Sequence, residues 1–176
     1  MNTLIEWLPG VAMMANVHPW FVHFPIALLS AFVVVEAGAW LARREGWRIA
    51  ASALLYLGTL GAAGAVTAGW LAAQTVPHGE AVHDILERHE HIGFSVLALA
   101  ILLSLWRLWR GSRFRGLERA CHVLLALLMV GIMAVGADLG GLMVYGHGVG
   151  VRTIDAEGGS GHHHAPDSGE HEHMHD

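Results

Sequence analysis

The sequence predicts an all-α integral membrane protein, in which a bundle of four transmembrane helices follows an N-terminal interfacial segment and precedes a disordered, histidine-rich tail. Hydrophobic residues make up 54% of the 176 residues and charged residues 14%. The apolar residues fall into four runs, each close to the about 20 residues that cross the hydrocarbon core of a bilayer. The last residues are glycine, serine, histidine and acid, with almost nothing to bury. We therefore expect an interfacial segment at 1–17, a membrane domain at 18–152 and a disordered tail at 153–176.

The four predicted spans are the apolar runs Phe24–Ala42, Ile49–Ala73, Ile92–Trp106 and Ala120–Tyr145. The third run is the shortest, so we expect that helix to begin earlier, in the turn 88–91. Residues 1–17 have no basic start, carry Glu6 and are broken by Pro9 and Gly10. They make a poor signal peptide and are too short to span, so an interfacial helix or loop suits them better.

Two prolines shape the entry to the first span, which reads His18-Pro19-Trp20-Phe21-Val22-His23-Phe24-Pro25. Proline is favoured in the first turn of a helix and disfavoured further along. We therefore expect the regular helix to start near Pro25, after a bent turn that holds His18 and His23.

The arginines are concentrated in two short connections between spans. Arg43, Arg44 and Arg48 lie between spans one and two, and Arg107, Arg110, Arg113, Arg115 and Arg119 lie between spans three and four. By the positive-inside rule both connections are cytoplasmic. This predicts a multi-pass protein of the bacterial inner membrane with both termini in the periplasm. Arginines that flank spans are the ordinary signal of topology, so we expect a lipid bilayer, and no nucleic acid, as a partner.

The chain has fourteen histidines and no lysine, and this topology sorts the histidines by membrane face. Seven belong to the outer face, namely His18, His23, His78, His83, His89, His91 and His147, whereas His122 lies near the inner end of span four. An imidazole at a membrane costs free energy unless it has a partner, and imidazole is a common ligand of metals and haem iron. Any one of these rings is readily explained as an interfacial side chain. Three separate outer segments contribute histidines, however, which predicts a shared site.

Span three begins with His89 and His91, which lie about 200° apart on a helix. Only one of them can face the bundle. We favour His89, because its face continues through Gly93, and a glycine one turn below a ligand leaves room for a ring system. A two-residue shift of the helix would select His91 instead. Span two carries a stripe of small residues, Gly58, Gly61, Ala62, Ala65, Ala68, Gly69 and Ala72, which admits either a neighbouring helix or a flat cofactor.

Span four carries Asp138 about two turns before its outer end, and His147 just after that end. A carboxylate inside a span needs a partner, and the N–H of a ligand histidine is a natural one. The alternative is an aspartate close enough to the interface to be hydrated. His147 stands between glycines, where the chain can fold back over the mouth of the bundle.

The tail offers imidazoles and carboxylates at short spacing. Its histidines are His162, His163, His164, His171, His173 and His175. Such runs bind copper, nickel or zinc loosely and without a defined geometry. The alternative is a solvated low-complexity tail whose affinity for metals is incidental.

Three motifs resemble the bacterial membrane family labelled domain of unknown function 2231. They are the opening His18-Pro19 to His23-Phe24-Pro25, the stretch Glu87–Gly93, and the ending Leu139–Val151. The likeness covers about residues 15 to 152 and omits the tail. It implies four spans with histidines at one face and a redox setting, because some members are joined to Rieske iron–sulfur or cytochrome c domains. The matching motifs give importance to His18, His23, His89 and His147.

These observations favour a membrane electron-transfer subunit, rather than a stand-alone enzyme, with a b-type haem in the outer half of the bundle. Cys121 is the only cysteine, so such a haem is non-covalent. We expect His23 and His89 to be the axial ligands and Asp138 to orient a histidine. We expect His18 and His147 to bind the haem propionates or a quinol, or to contact the ligand residues. A cytochrome c or a Rieske protein is the expected redox partner.

Two alternatives remain open at the level of sequence. The chain could bind or transport a divalent transition metal, with the tail collecting ions and His18, His23, His89 and His147 forming a site at the bundle mouth. It could also be a structural membrane subunit whose histidines are merely interfacial.

Overall fold

The computed structural model describes residues 7, 8, 10, 16–75, 79–111, 114 and 116–151. The helices are α1 (His18–Leu41), α2 (Trp47–Thr75), α3 (Glu80–Arg110) and α4 (Gly116–Gly141), and a π-helical turn at Leu142–Gly146 extends α4. Within these ranges, four helices are long and apolar enough to cross a membrane. The predicted all-α class and the four spans are therefore confirmed. Most of the predicted interfacial segment, and the predicted tail at 153–176, lie outside the described residues.

The first helix begins earlier than the sequence suggested. It is regular from His18, with Pro19 in its first turn and Pro25 buried inside it. A proline within a transmembrane helix is tolerated where neighbouring helices support the backbone. Here α2 supplies that support through Gly61, where an added Cβ would lie 3.3 Å from both Cδ and N of Pro25. Close packing of α2 therefore compensates for the proline, and His18 becomes part of the helix.

The third helix is also longer than the apolar run that predicted it. It starts at Glu80. The sequence-based prediction placed the start later because the first turns are polar, and a search for apolar residues does not detect them. These turns place His89 well inside a helix rather than at its start. Because His89 lies within the regular helix, the helix geometry determines the direction of its side chain.

The four helices form two antiparallel hairpins, α1–α2 and α3–α4, that pack side by side. Fully buried side chains from every helix meet in the middle, including Leu29, Phe32, Leu55, Leu103 and Met129. Large apolar side chains also cover the outside of the bundle, among them Val34, Leu60, Leu108 and Leu124. An apolar exterior around an apolar core suits a protein that is surrounded by lipid.

The second hairpin repeats the buried pattern of the first at a shift of 71 residues. Buried positions that correspond in this way are Leu29 and Ala100, Phe32 and Leu103, Glu36 and Arg107, Arg48 and Arg119, Ala51 and His122, Leu55 and Ala126, and Ala62 and Met133. The hairpins run in the same direction, as in parallel repeats related by an axis along the membrane normal. The bundle therefore has an approximate twofold axis.

A buried ion cluster, here called the arginine end, joins all four helices at one end of the bundle. Arg107 Nη1 of α3 donates to Glu36 Oε2 of α1 over 2.8 Å, and both side chains are almost fully buried. Arg107 also donates to Ser52 Oγ at 2.8 Å and to the carbonyl of Arg48 at 3.0 Å, both on α2. Arg119 Nε of α4 lies 3.3 Å from Glu36 Oε1. Glu36 therefore holds the helix ends in register.

Replacing Glu36 by glutamine should destabilise the bundle strongly, because Arg107 and Arg119 lose the one buried carboxylate that the described residues place beside them. Removing one partner of a buried pair costs about 3–5 kcal/mol. The control is Glu118→Gln, which breaks a pair with Arg110 that is partly exposed on both sides and is expected to cost about 0–1 kcal/mol. Unfolding in detergent measures both, and equal losses for the two variants would contradict this role of Glu36.

Candidate cofactor site at the histidine end

At the opposite end of the bundle, here called the histidine end, two imidazole rings face each other across the interior. They belong to His18 at the start of α1 and His89 in α3. Their ring centres lie 6.0 Å apart and their planes cross at 88°. His18 and His89 are 71 residues apart in the chain, which is the shift that relates the two hairpins. The two rings therefore occupy equivalent positions about the approximate twofold axis.

Each ring is held by the backbone of the second helix in its own hairpin. His18 Nδ1 lies 2.9 Å from the carbonyl oxygen of Ala65, and His89 Nδ1 lies 2.9 Å from that of Gly136. A carbonyl oxygen only accepts hydrogen bonds, so Nδ1 is the protonated nitrogen in both rings. Within the described part of the chain, neither Nε2 has a hydrogen-bond partner. Both rings are therefore fixed with the Nε2 lone pair free to bind a ligand.

A glycine lies against each ring, again at equivalent positions. A Cβ on Gly69 would lie 2.9 Å from Cε1 and Nδ1 of His18, which no real structure tolerates without a shift. A Cβ on Gly140 would lie 3.3 Å from Cε1 of His89. These glycines let the rings lie flat against α2 and α4 and keep the space between the hairpins open.

That space is a cavity of about 540 Å³, within the range of about 300–1,000 Å³ that is typical of cofactor pockets. His18 and His89 line it, most of its remaining wall is apolar, and small residues such as Ala62, Ala65, Gly93 and Gly136 form part of that wall. Small residues on α2 therefore contribute space, which was one of the two roles that the sequence left open for them.

The structure changes the pair of histidines assigned from the sequence, because it places His18, and not His23, opposite His89. Five residues along a regular helix correspond to a rotation of about 140°, so residues 18 and 23 cannot share a face. His23 is exposed, although it also lines the cavity. His91 is exposed as well, whereas His89 points inward.

The other residues assigned to the site lie away from the two rings. Asp138 and His147 are exposed and do not line the cavity. Backbone carbonyls, rather than Asp138, hold the ring nitrogens. Over the ranges that the structure describes, no three His, Cys, Asp or Glu side chains come together as a metal site. The tail histidines His162, His163, His164, His171, His173 and His175 lie outside these ranges.

Sequence reasoning missed the carbonyl acceptors on Ala65 and Gly136 and the packing role of Gly69 and Gly140. The signal that could have found them is the 71-residue repeat, which aligns histidine with histidine and glycine with glycine. Few other residues are identical between the two halves, so the repeat is weak in the letters of the sequence. The repeat becomes clear when the burial of corresponding residues in the two hairpins is compared.

The geometry can now be set beside known proteins. The family model described as "Predicted membrane protein (DUF2231)" matches residues 14–153. The chain belongs to this family. The region shared with DUF2231 contains both hairpins, both inward-facing histidines and the arginine end. No curated protein and no solved structure matches the chain.

In the cofactor-free protein, His18 and His89 should both be Nδ1-protonated when neutral, since only that tautomer satisfies the two carbonyls. The neutral histidine side chain in water prefers the Nε2-protonated form. Nitrogen NMR of protein labelled with ¹⁵N-histidine distinguishes the tautomers, and the His18→Ala and His89→Ala variants assign the signals. His91, which is exposed, is the internal control. Finding Nε2–H on either inward ring would contradict the hydrogen bonds described here.

Proposed function

We propose that this DUF2231 protein binds one b-type haem between His18 and His89 and acts as a membrane electron-transfer subunit. The observation that carries the proposal is the spacing of the two rings. A metal–imidazole bond is about 2.0–2.1 Å long and the ring centre lies about 1.2 Å behind the nitrogen, so two rings on opposite sides of one metal have centres about 6.4 Å apart. The observed separation is 6.0 Å.

The surroundings of the two rings also suit a haem. The cavity between them is apolar and lined by small residues, and cofactors bury most of their surface in such pockets. A bound haem supplies one-electron redox chemistry. His18 and His89, which belong to different helices, would hold the haem, and a haem held by two histidines would supply electron transfer rather than oxygen chemistry.

The chain contributes orientation and electronic tuning. The hydrogen bonds from Nδ1 to the carbonyls of Ala65 and Gly136 fix the planes of His18 and His89 and make each Nε2 a stronger donor. The glycines at 69 and 140 keep the rings close to α2 and α4. The apolar wall keeps water from competing for the ligand nitrogens.

We further propose that the arginine end faces the cytoplasm and the histidine end the periplasm, as the positive-inside rule favours. Arg44, Arg48, Arg107 and Arg119 lie at the arginine end, together with Glu36. The haem then lies near the periplasmic surface, within reach of a cytochrome c or a Rieske protein. The start of α1 and the end of α4 lie at the histidine end, so in this orientation both face the periplasm.

Protein purified in detergent from cells supplied with haem should show a Soret band that shifts on reduction with dithionite. Because both axial positions are closed, carbon monoxide should leave the spectrum of the reduced protein unchanged. The His18→Ala and His89→Ala variants should either lose the haem or bind carbon monoxide at the opened position.

The matched controls are His23→Ala and His91→Ala, which remove exposed histidines from the same two helices and should keep the wild-type spectrum. Loss of the Soret band in either control, with no effect of the His18 change, would contradict the assignment. A colourless protein that still takes up copper, nickel or zinc after deletion of residues 158–176 would support the divalent-metal function instead. Loss of all metal uptake with that deletion would point to a structural subunit.

The crossing angle of the rings gives a second spectroscopic test. Perpendicular axial imidazoles leave two iron d orbitals nearly equal in energy, which moves the main low-spin ferric EPR signal to unusually low field. Because the planes of His18 and His89 cross at 88°, we expect this signal in the oxidised protein. The ordinary rhombic spectrum of nearly parallel rings would show that the rings turn when haem binds.

A further inference from the structure

Positive charge is in excess at the arginine end. Three arginines, Arg48, Arg107 and Arg119, are buried there with one buried carboxylate, Glu36. Each of the three guanidinium nitrogens of Arg107 donates a hydrogen bond, to Glu36, Ser52 and a backbone carbonyl respectively. The other two arginines occupy equivalent positions of the two hairpins, one on either side of the Glu36–Arg107 pair.

Arg119 is almost completely buried and yet makes no hydrogen bond to any residue that the structure describes. Its buried Nε and Nη2 atoms have no hydrogen-bond partner there, although Nε lies 3.3 Å from Glu36 Oε1, and Nε of Arg48 has no hydrogen-bond partner either. A guanidinium carries five N–H donors, and unpaired buried donors are costly. The described residues therefore offer these buried donors too few acceptor oxygens.

Two acceptors near the surface serve Arg48. One is the carbonyl oxygen of Gly111, which accepts from Arg48 Nη2 at 3.4 Å, and the other is a loop carboxylate. Glu45, which is 68% exposed, accepts from Arg48 Nη1 at 2.8 Å, and its other oxygen lies 3.6 Å from Arg119 Nη1. The hydrogen bond from Arg48, helped by the charges of Arg119 and Arg107, keeps the pKa of the Glu45 carboxyl below its usual value. Two arginines thus converge on an anion at the edge of the membrane, and the second contact is too long for a hydrogen bond.

We propose that Arg48 and Arg119 bind the phosphate group of an anionic phospholipid, which displaces the Glu45 carboxylate. A phosphate has more acceptor oxygens than a carboxylate and pairs well with guanidinium groups. The ends of transmembrane helices lie at the level of lipid headgroups, and basic pockets between such helices bind anionic ones. Glu45 belongs to the turn between α1 and α2, so it can move aside without disturbing the helices.

The test compares three probes added to the protein in neutral detergent: dioleoylphosphatidylglycerol, dioleoylphosphatidylcholine and inorganic phosphate. A ligand that binds only the folded state raises the melting temperature, and the rise grows with the ligand concentration relative to its dissociation constant. We expect phosphatidylglycerol to raise it and the other two probes to leave it unchanged. If inorganic phosphate raises the melting temperature equally, and does so only when Arg119 is present, the two arginines bind free phosphate rather than a lipid headgroup.

Three variants locate the site. Arg119→Gln should weaken phosphatidylglycerol binding at least about fivefold, the effect of one basic residue near a membrane surface. Arg44→Gln removes the same charge from an exposed position of the neighbouring turn and should bind like the wild type. Glu45→Gln removes the competing carboxylate and should bind more tightly.

Equal weakening by Arg119→Gln and Arg44→Gln would overturn the proposal, because it would show attraction to general surface charge. Phosphatidylglycerol that stabilises no more than phosphatidylcholine would overturn it too. If Arg119→Gln does not fold, Glu45→Gln decides alone, and unchanged affinity in that variant counts against the site.

Discussion

Two hydrogen bonds from histidine rings to helix backbones are the constraint on which the rest of the histidine end depends. Nδ1 of His18 is tied to Ala65, and Nδ1 of His89 is tied to Gly136. In an apolar environment an imidazole needs such a partner, and using a carbonyl leaves Nε2 as the donor for a ligand. The small residues around the rings, the cavity between the hairpins and the separation of the ring centres all follow from where these bonds hold the rings.

The approximate twofold axis explains why the polar groups of the membrane domain gather at the two ends of the bundle. At one end the axis passes between two equivalent histidines, and at the other between two equivalent arginines, Arg48 and Arg119. The Glu36–Arg107 pair occupies matching positions with opposite charges, so a buried pair replaces what would be a repulsion between identical residues. The lipid-facing surface in between needs only apolar side chains.

Hydrophobic run length predicted the four spans, because it depends on bilayer thickness rather than on packing. The helix starts were harder, since support from Gly61 lets α1 continue through Pro25, and the polar first turns of α3 escape an apolar window. That early start determines which histidine of α1 faces inward. The carbonyl acceptors on Ala65 and Gly136 carry no side-chain signal at all, and only the repeat of burial exposes them. The separation of the His18 and His89 rings depends on three-dimensional packing, and so does the shortage of hydrogen-bond acceptors around Arg119 among the described residues. Neither can be predicted from the spacing of residues in the sequence.

An experimental structure of the full chain purified from haem-replete membranes tests the central claim most directly. The account predicts one continuous planar density between His18 and His89, bounded on each side by Nε2, with both Nδ1 atoms still bonded to their carbonyls. Density bound instead to His23 or His147, or two rings in contact with nothing between them, would contradict it.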